Sequence, residues 1–429
     1  GCFNRTYLQH HISILAKFET RECALLYLDI DFFKQINDRH GHETGDVVLQ
    51  HVASRISSAV RSDDFVVRLG GDEFLVVFKN TTDLERLKVR IDKIQQLISK
   101  PIVHDGGRFV VRSSMGVAMF RPTDADFAHV MRDADIALYV SKQGGRNRVT
   151  FYTDQMGKDA DTRSQLEVDL AQALKDRQFE LHFQPRYCLN EGRVVSAEAL
   201  VRWRHPERGM IMPGEFIPLC EETGLINDLG LMVLEMSCQR AMAWQADGAG
   251  MSVSINISAR QFEDSRFFEA LAEYAAMPSF VTGQIELELT ESLLVGDNPD
   301  IVRQISEISD MGYSIAIDDF GTGFSNLSYI TRFPISCIKI DRSFVNQLPE
   351  SGPIVRLILT LARQIGAKVV AEGVETVEQF EFLSKEGCEQ VQGYYIAAPL
   401  FPVEFEETIH RLCLNDAWSN GHGKLAVVS

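Results

Sequence analysis

Between about residue 180 and residue 396 the chain carries eight short apolar, β-rich runs, near 180–186, 194–203, 251–258, 284–291, 314–319, 337–341, 368–373 and 391–396. Helical patterns such as 215–246 and 353–366 separate most of them. Eight strands alternating with helices over roughly 230 residues predict an α/β fold closed into a TIM-like barrel. A barrel of this kind presents its chemistry at one rim, through polar residues at the strand ends. Here those ends carry Gln184, Glu198, Asn256, Glu288, Asp318, Asp319, Lys339, Glu372 and Gln392.

The most informative end is Ser314-Ile-Ala-Ile-Asp-Asp-Phe-Gly-Thr-Gly323. An apolar run finishes in two adjacent carboxylates, which repel each other, and burial makes the repulsion worse. A bound divalent cation is the simplest thing that stabilises them. Gly321 and Gly323 then allow a sharp turn and a close approach to a ligand. A solvated acidic turn explains this stretch equally well if it is taken alone. Several acids and amides converging on one rim favour the cation.

Residues 1–153 follow another pattern. A buried strand over 23–30 ends near Asp29, and a helix runs from about Asp46 to Val60, with Asp46 placed as an N-cap or first-turn acid. Two β-rich runs flank Gly70-Gly71 and form a hairpin that carries Asp72 and Glu73 at its turn. A helix at 83–99, a strand at 109–120, a helix at 124–143 and a strand at 148–153 complete the set. Strands and helices alternate around a mainly antiparallel sheet, which is α+β. Residues 154–178 are polar and helix-prone, with Leu166, Leu170, Ala173 and Leu174 at helical spacing. They read as a helical linker, as the first helix of the second domain, or as both. The barrel occupies 179–412, and 413–429 is a tail.

A chain of 429 residues with 45% apolar content supports two or three domains with real cores. The net charge of −17 argues against a duplex nucleic-acid binder, which needs a basic face. No run of about 18 apolar residues occurs, so no membrane contact is expected from this piece. The chain shows no signal peptide and begins without Met, which predicts a fragment of something longer, possessing upstream segments that could anchor it. The eight cysteines lack metal or disulfide spacing and read as buried small hydrophobes in a reducing cytoplasm.

The first half resembles the GGDEF diguanylate cyclase domain. The motifs are Asp29-Ile-Asp-Phe-Phe-Lys34, Asn37-Asp38, Gly41-His42, Gly45-Asp46, Arg68-Leu-Gly-Gly-Asp-Glu-Phe74 and Lys142-Gln-Gly-Gly-Arg-Asn147. The resemblance implies that GTP binds with Mg²⁺, held by Asp29, Asp72 and the Ile30 carbonyl. Phe32, Phe33, Asn37, Asp46, Lys142 and Arg146 would bind GTP, and Glu73 would be catalytic. Asn37 and Asp46 carry the amide and carboxylate that read a guanine edge, and Lys142 and Arg146 lie four residues apart, within reach of phosphate. Lys142 and Arg146 also complement a helix C-terminus, whichever ligand is present. Arg61-Ser-Asp-Asp64, five residues before Gly70, stands where this family has its product-inhibition site. An exposed helix-end salt bridge is the plain alternative for that pair.

The second half resembles the EAL phosphodiesterase domain over residues 165–410. Its motifs are Phe183-Gln-Pro185, Glu198-Ala-Leu-Val-Arg-Trp203, Asn256-Ile-Ser258, Glu288-Leu-Thr-Glu291, Asp318-Asp-Phe-Gly-Thr-Gly323, Ile338-Lys-Ile-Asp341, Glu372-Gly-Val-Glu375 and Gln392-Gly393. The resemblance implies two Mg²⁺ or Mn²⁺ bound by Glu198, Asn256, Glu288, Asp318 and Asp319. Lys339 and Glu372 would position and deprotonate the attacking water. Gln184, Arg202 and Gln392 would hold cyclic di-GMP, and Glu291 would anchor the loop after Asp319. Phe324 and Asn326 depart from the more usual Tyr and Ser. The expected function is turnover of cyclic di-GMP: hydrolysis to linear pGpG, and synthesis from two GTP in a homodimer. The alternatives are a phosphodiesterase whose GGDEF domain only senses GTP, a non-enzymatic cyclic di-GMP receptor, and another metal-dependent barrel hydrolase.

Overall fold

The structure, a computed structural model, describes residue 3 and residues 5–124, 126–248, 250–294, 299–322 and 332–414. Gly323, Phe324, Asn326 and residues 415–429 of the expected tail lie outside the described residues. The chain divides into two compact units, Gly1–Gln165 and Leu166–Ser429. The division falls within the helix Asp154–Lys175, in the segment expected to be both linker and first helix.

The first unit is built on a five-stranded sheet. Its strands are β1 (Cys23–Ile30), β2 (Phe65–Gly70), β3 (Glu73–Phe78), β6 (Ser113–Phe120) and β7 (Val149–Phe151), in the order β2-β3-β1-β6-β7. Only the β6–β7 pair is parallel. A separate small hairpin, β4 (Ile102–His104) with β5 (Gly107–Phe109), takes the start of what the sequence presents as one strand over 109–120. β1 is apolar at almost every position because both of its faces are covered. Ala24, Leu26, Leu28 and Ile30 enter one core with Val48, Val52, Leu87 and Ile91 from two helices. Cys23, Leu25 and Tyr27 enter the other, with Leu8, Leu15, Ala134 and Leu138. The helix Arg5–Phe18, which supplies Leu8 and Leu15, was not foreseen.

A second correction concerns Asp46. The helix runs Phe33–Ala59 and is broken by non-helical backbone at Gly41 (φ 82°, ψ 161°). Asp46 therefore lies within the helix, past the break, and does not cap it.

The second unit closes into a barrel. Its strands are β8 (Phe179–Cys188), β9 (Arg193–His205), β10 (Gly209–Ile211), β11 (Ser252–Ile257), β12 (Ile285–Thr290), β13 (Ser314–Phe320), β14 (Cys337–Ile340), β15 (Lys368–Ala371) and β16 (Gln390–Val391). Eight of them form the ring β8-β9-β11-β12-β13-β14-β15-β16, which returns to β8, and β10 extends β9 outside it. The ring from β9 to β16 is parallel, whereas β8 is antiparallel to both neighbours. Strict strand–helix alternation therefore fails at the first step. Only four residues, Leu189 to Gly192, join β8 to β9, and a link so short can connect only antiparallel strands. Gly192 takes φ 66° in that turn. The strand-end rule fails at the same place, since Gln184 and Glu198 lie in mid-strand, directly opposite each other.

Candidate functional site

The acids at the barrel mouth meet because of a local irregularity. Successive side chains of a regular strand point to opposite faces, so Asp318 and Asp319 should diverge. The β13–β14 register shifts between Ile317 and Phe320, and Asp319 adopts φ 53°. A bulge with a residue in the left-handed region re-aims a side chain in this way. Oxygens of Asp318, Asp319 and Glu372 then lie within 4.8 Å of one another. The next turn is fixed by Glu291, whose Oε2 accepts from the Gly321 N–H at 2.9 Å.

Beside these acids the barrel interior holds a buried ion network. Lys339, 1% exposed, places its ammonium 2.5 Å from Glu288, 2.6 Å from Glu372, 3.0 Å from Asp318 and 3.8 Å from Glu198. Asn256 Nδ2 donates to Glu198 Oε1 at 2.7 Å. Gln392 Nε2 donates to Glu198 Oε2 at 2.6 Å and to Gln184 Oε1 at 2.9 Å. Gln184 Nε2 in turn donates to the Ala397 carbonyl. Arg202 is largely buried, and one of its terminal nitrogens donates to the Val201 carbonyl at 3.0 Å. A cavity of about 230 Å³ opens on Gln184, Glu198, Asp318, Lys339, Glu372 and Gln392. Asn256 and Glu288 also border an apolar cavity of about 440 Å³, lined by Leu200, Ile217 and Pro218.

These contacts separate the carboxyl groups electrostatically. Burial raises the Glu372 carboxyl, Lys339 offsets part of this, and Asp318, Glu198 and Glu288 push further, to about 8. Burial would do the same to Glu288, but the Lys339 ammonium and Arg186 guanidinium prevail and hold it down to about 2. Burial and Glu288 raise Glu198, and burial with Asp318 and Asp341 raises Asp319. Burial would lower Lys339, yet the surrounding carboxylates carry it well above the ordinary lysine value. A group poised near 8 beside an ammonium is the proton-handling arrangement that general-base chemistry requires. The hard oxygen donors and the convergence of Asp318, Asp319 and Glu372 fit a hard divalent cation.

Arg186 and Glu286 were missed by the sequence reading. The Arg186 guanidinium pairs with Glu286 at 2.6 Å and with Glu288. The available signal was Arg186 two residues beyond Gln184 on the same strand, a spacing that puts both side chains on one face.

In the first unit, Lys142 Nζ lies 2.8 Å from Asp29 Oδ2. Asp29 faces Glu73 across the β1–β3 pair, with half-buried Asp72 in the adjoining turn. Burial raises the Asp29 carboxyl against the pull of Lys142, with Asp72 and Asp31 adding to the rise. Ile30 closes β1 opposite Ser113. Phe32 is 56% exposed, and the Arg146 guanidinium lies over its ring at 4.8 Å. Asp31, not foreseen, accepts from Ser114 Oγ at 2.7 Å and from the Asn147 N–H at 3.1 Å, tying the strand end to the loop that carries Arg146. Phe33 corrects the expectation of a ligand contact: it is 8% exposed and packs in the core beneath the sheet. Asn37 lies against Gly45, the residue before Asp46, where any Cβ would fall 1.9 Å from its Oδ1.

Arg61 and Asp64 part company. Arg61 is exposed. The Asp64 carboxylate is turned inward, accepting from the backbone N–H groups of Arg61 and Lys79 and pairing with Arg90. Asp64 thus shapes the turn and is not open to a guanine, because its oxygens are already engaged.

Comparison with known proteins agrees with this geometry. The EAL domain family matches residues 167–399, and the family described as "Diguanylate cyclase, GGDEF domain" matches residues 1–148. The bifunctional diguanylate cyclase/cyclic di-GMP phosphodiesterase MucR of Pseudomonas aeruginosa is 38% identical over 89% of this chain. The cyclic di-GMP phosphodiesterase PdeR of Escherichia coli is 36% identical over 96% of it. The chain spans 56% of the length of the first and 62% of the second. A solved structure of PaMucR phosphodiesterase in complex with c-di-GMP is 40% identical, with TM-score 0.54, covering 56% of this chain and 99% of that one. The Vibrio cholerae LapD S helix-GGDEF-EAL structure, 19% identical with TM-score 0.61, covers 92% of this chain and 94% of that one, and supports the fold. With a GGDEF unit followed by a barrel that carries the EAL signature throughout, this chain belongs to the EAL-domain family, in its tandem GGDEF–EAL form.

Proposed function

We propose that the barrel hydrolyses one phosphodiester of cyclic di-GMP to linear pGpG, and that the first unit binds GTP and joins two GTP into cyclic di-GMP when two protomers meet. The observation that carries the first part is the convergence of Asp318, Asp319 and Glu372, with the buried Lys339 ammonium against Asp318 and Glu372. Glu198, Asn256, Glu288, Asp318 and Asp319 would hold two Mg²⁺ or Mn²⁺. Bound there, the ions would supply Lewis acidity at the scissile phosphate and lower the pKa of water. Glu372 would take a proton from the attacking water as the water oxygen bonds to phosphorus. Lys339 holds that carboxylate and the water in place, the P–O3′ bond breaks, and the proton passes to the leaving 3′-oxygen. Gln184, Gln392 and Arg202 would hold the substrate at the rim, Arg202 at a phosphate, and the apolar cavity suits the face of a purine.

In the first unit, Asp29, Asp72 and the Ile30 carbonyl would take Mg²⁺ with GTP, and Lys142 would move from Asp29 to the phosphates. Asn37 and Asp46 would read guanine, Phe32 and Arg146 would bound the nucleotide, and Glu73 would act in catalysis. Each protomer holds one GTP, so synthesis calls for a dimer. Among the described residues no helix is long and apolar enough to cross a membrane. Cys23, Cys188, Cys220, Cys238, Cys337 and Cys388 are free and buried, which suits a reducing cytoplasm where GTP is available.

The test is a product assay on the purified chain with GTP and cyclic di-GMP supplied separately and together. Cyclic di-GMP with Mg²⁺ is expected to give pGpG, and GTP to give cyclic di-GMP and then pGpG. Binding of cyclic di-GMP without hydrolysis would make the barrel a receptor, and GTP binding without product would make the first unit a sensor.

A further inference from the structure

Arg186 is a buried cation with no part in the reaction just described. It lies on β8 two residues beyond Gln184 and is 1% exposed. Its Nε donates to Gln392 Oε1 at 3.0 Å, and one terminal nitrogen donates to Glu286 at 2.6 Å. The other terminal nitrogen donates to Glu288. A guanidinium carries its N–H groups in one rigid plane, so the three acceptors, on or just beyond two different strands, are fixed relative to one another.

The consequence reaches Glu198 through an amide. Because Arg186 occupies the Gln392 carbonyl oxygen, the Gln392 NH₂ faces the other way, towards Gln184 and Glu198. Asn256 holds the second oxygen of Glu198. Both Glu198 oxygens are therefore held, and one of the two holds originates at Arg186.

A core ion pair with Glu286 would by itself account for a buried arginine. It leaves the other two bonds unexplained, and both go to groups of the metal and substrate site. We infer that Arg186 is a positioning residue of the metal centre, holding Glu288 directly and Glu198 through Gln392. Groups that orient metal ligands from behind tune affinity in this way. The role in hydrolysis rests on the phosphodiesterase reading, whereas the role in cation binding does not.

The experiment measures Mn²⁺ binding to the full chain by calorimetry, with melting temperatures alongside. Arg186→Lys keeps the charge but loses the fork, and is expected to weaken Mn²⁺ binding roughly 10–100-fold. Its hydrolysis should recover as Mn²⁺ is raised. Glu286→Gln leaves the bonds to Glu288 and Gln392 in place and should bind Mn²⁺ as the wild type does. Wild-type affinity in Arg186→Lys overturns the inference, and so does an equal loss in Glu286→Gln, which would mark a packing effect. If Arg186→Lys does not fold, Arg186→Gln, which keeps an N–H donor but loses the fork, takes its place, and the same two results decide. A wild type that binds Mn²⁺ but hydrolyses nothing refutes the proposed activity and leaves this inference to be judged on affinity. A wild type that binds no Mn²⁺ refutes both.

Discussion

The Lys339 ammonium and the Glu372 carboxyl group stand 2.6 Å apart at the barrel mouth, and the same ammonium touches Glu288 at 2.5 Å. One lysine thus serves two glutamates with opposite titration behaviour. Glu372, beyond β15 at the open cavity, is raised to about 8, whereas Glu288, deeper and shared with Arg186, is held down to about 2.

This split predicts a pH dependence of stability in chelator. The ordinary glutamate value is 4.5, so folded metal-free protein binds the Glu372 proton more tightly than the unfolded chain between pH 4.5 and 8. That stabilisation is complete below 4.5 and is lost as pH rises through 8. The loss should be on the order of a few kcal/mol. Glu288 acts in a different window: its contribution is full above 4.5 and lost as pH falls through about 2. Melting temperatures at pH 5, 6.5 and 8 should therefore fall in the wild type, with a flatter profile in Glu372→Gln. Parallel profiles would refute the assignment to Glu372.

Asp318→Asn should abolish hydrolysis while the fold survives. The amide keeps the shape and still accepts from the Asp319 N–H, now 3.0 Å from Asp318 Oδ1. It removes one charge from a pair that repels. Activity with Mg²⁺ should drop roughly 10³-fold, equivalent to several kcal/mol of lost charge stabilisation at the transition state. Retained hydrolysis would be incompatible with the metal reading.

The turn after Asp319 has little tolerance. Gly321 has φ 96°, and a Cβ there would lie 2.9 Å from the Phe344 ring. Gly321→Ala should cost about 1–3 kcal/mol and weaken Mg²⁺ activation, because the Glu291 bond and Asp319 move with the turn. Glu291→Gln should reproduce the weakened activation with less loss of melting temperature. Unaltered Mg²⁺ activation in both variants would show that the turn does not govern Asp319.

Arg61 and Asp64 should separate by experiment as they do in space. Asp64→Ala leaves Arg90 without its buried partner and should destabilise the chain by about 3–5 kcal/mol. Arg61→Ala should leave the melting temperature alone and relieve inhibition of the cyclase by cyclic di-GMP, measured in the Asp318→Asn background so that product is not consumed. Equal inhibition with and without Arg61 would return it to an ordinary surface residue.

GTP should stimulate hydrolysis by the barrel. The helix Asp154–Lys175 contains the boundary between the units, so a bias arising in one can be carried along the chain. Differential affinity of GTP for two states is typically worth about 1–3 kcal/mol, or some 5–150-fold. A Gly-Ser segment inserted after Thr153 should remove the effect. An unchanged response after insertion would exclude the helix as the carrier.

Much of this protein is set by its amino-acid order alone. The apolar run of β1, the Gly70-Gly71 hairpin and the parallel barrel strands follow from local periodicity and turn chemistry, which depend on neighbours in the chain. The acids at Asp318, Glu288, Glu198 and Glu372 were legible for the same reason, as polar residues interrupting or ending apolar runs. The tertiary structure decided the rest. Whether Phe33 faces a ligand or the core depends on the register of a helix against the sheet. Asp64 points inward because Arg90, 26 residues away, meets it. The reversed direction of β8 follows from its pairing on both sides, although the short turn to β9 could have disclosed it. The bulge that turns Asp318 and Asp319 to one site arises between β13 and β14. Arg186 finds Glu288 across 102 residues of chain. Partners so distant are chosen by closure of the barrel, which no local pattern encodes.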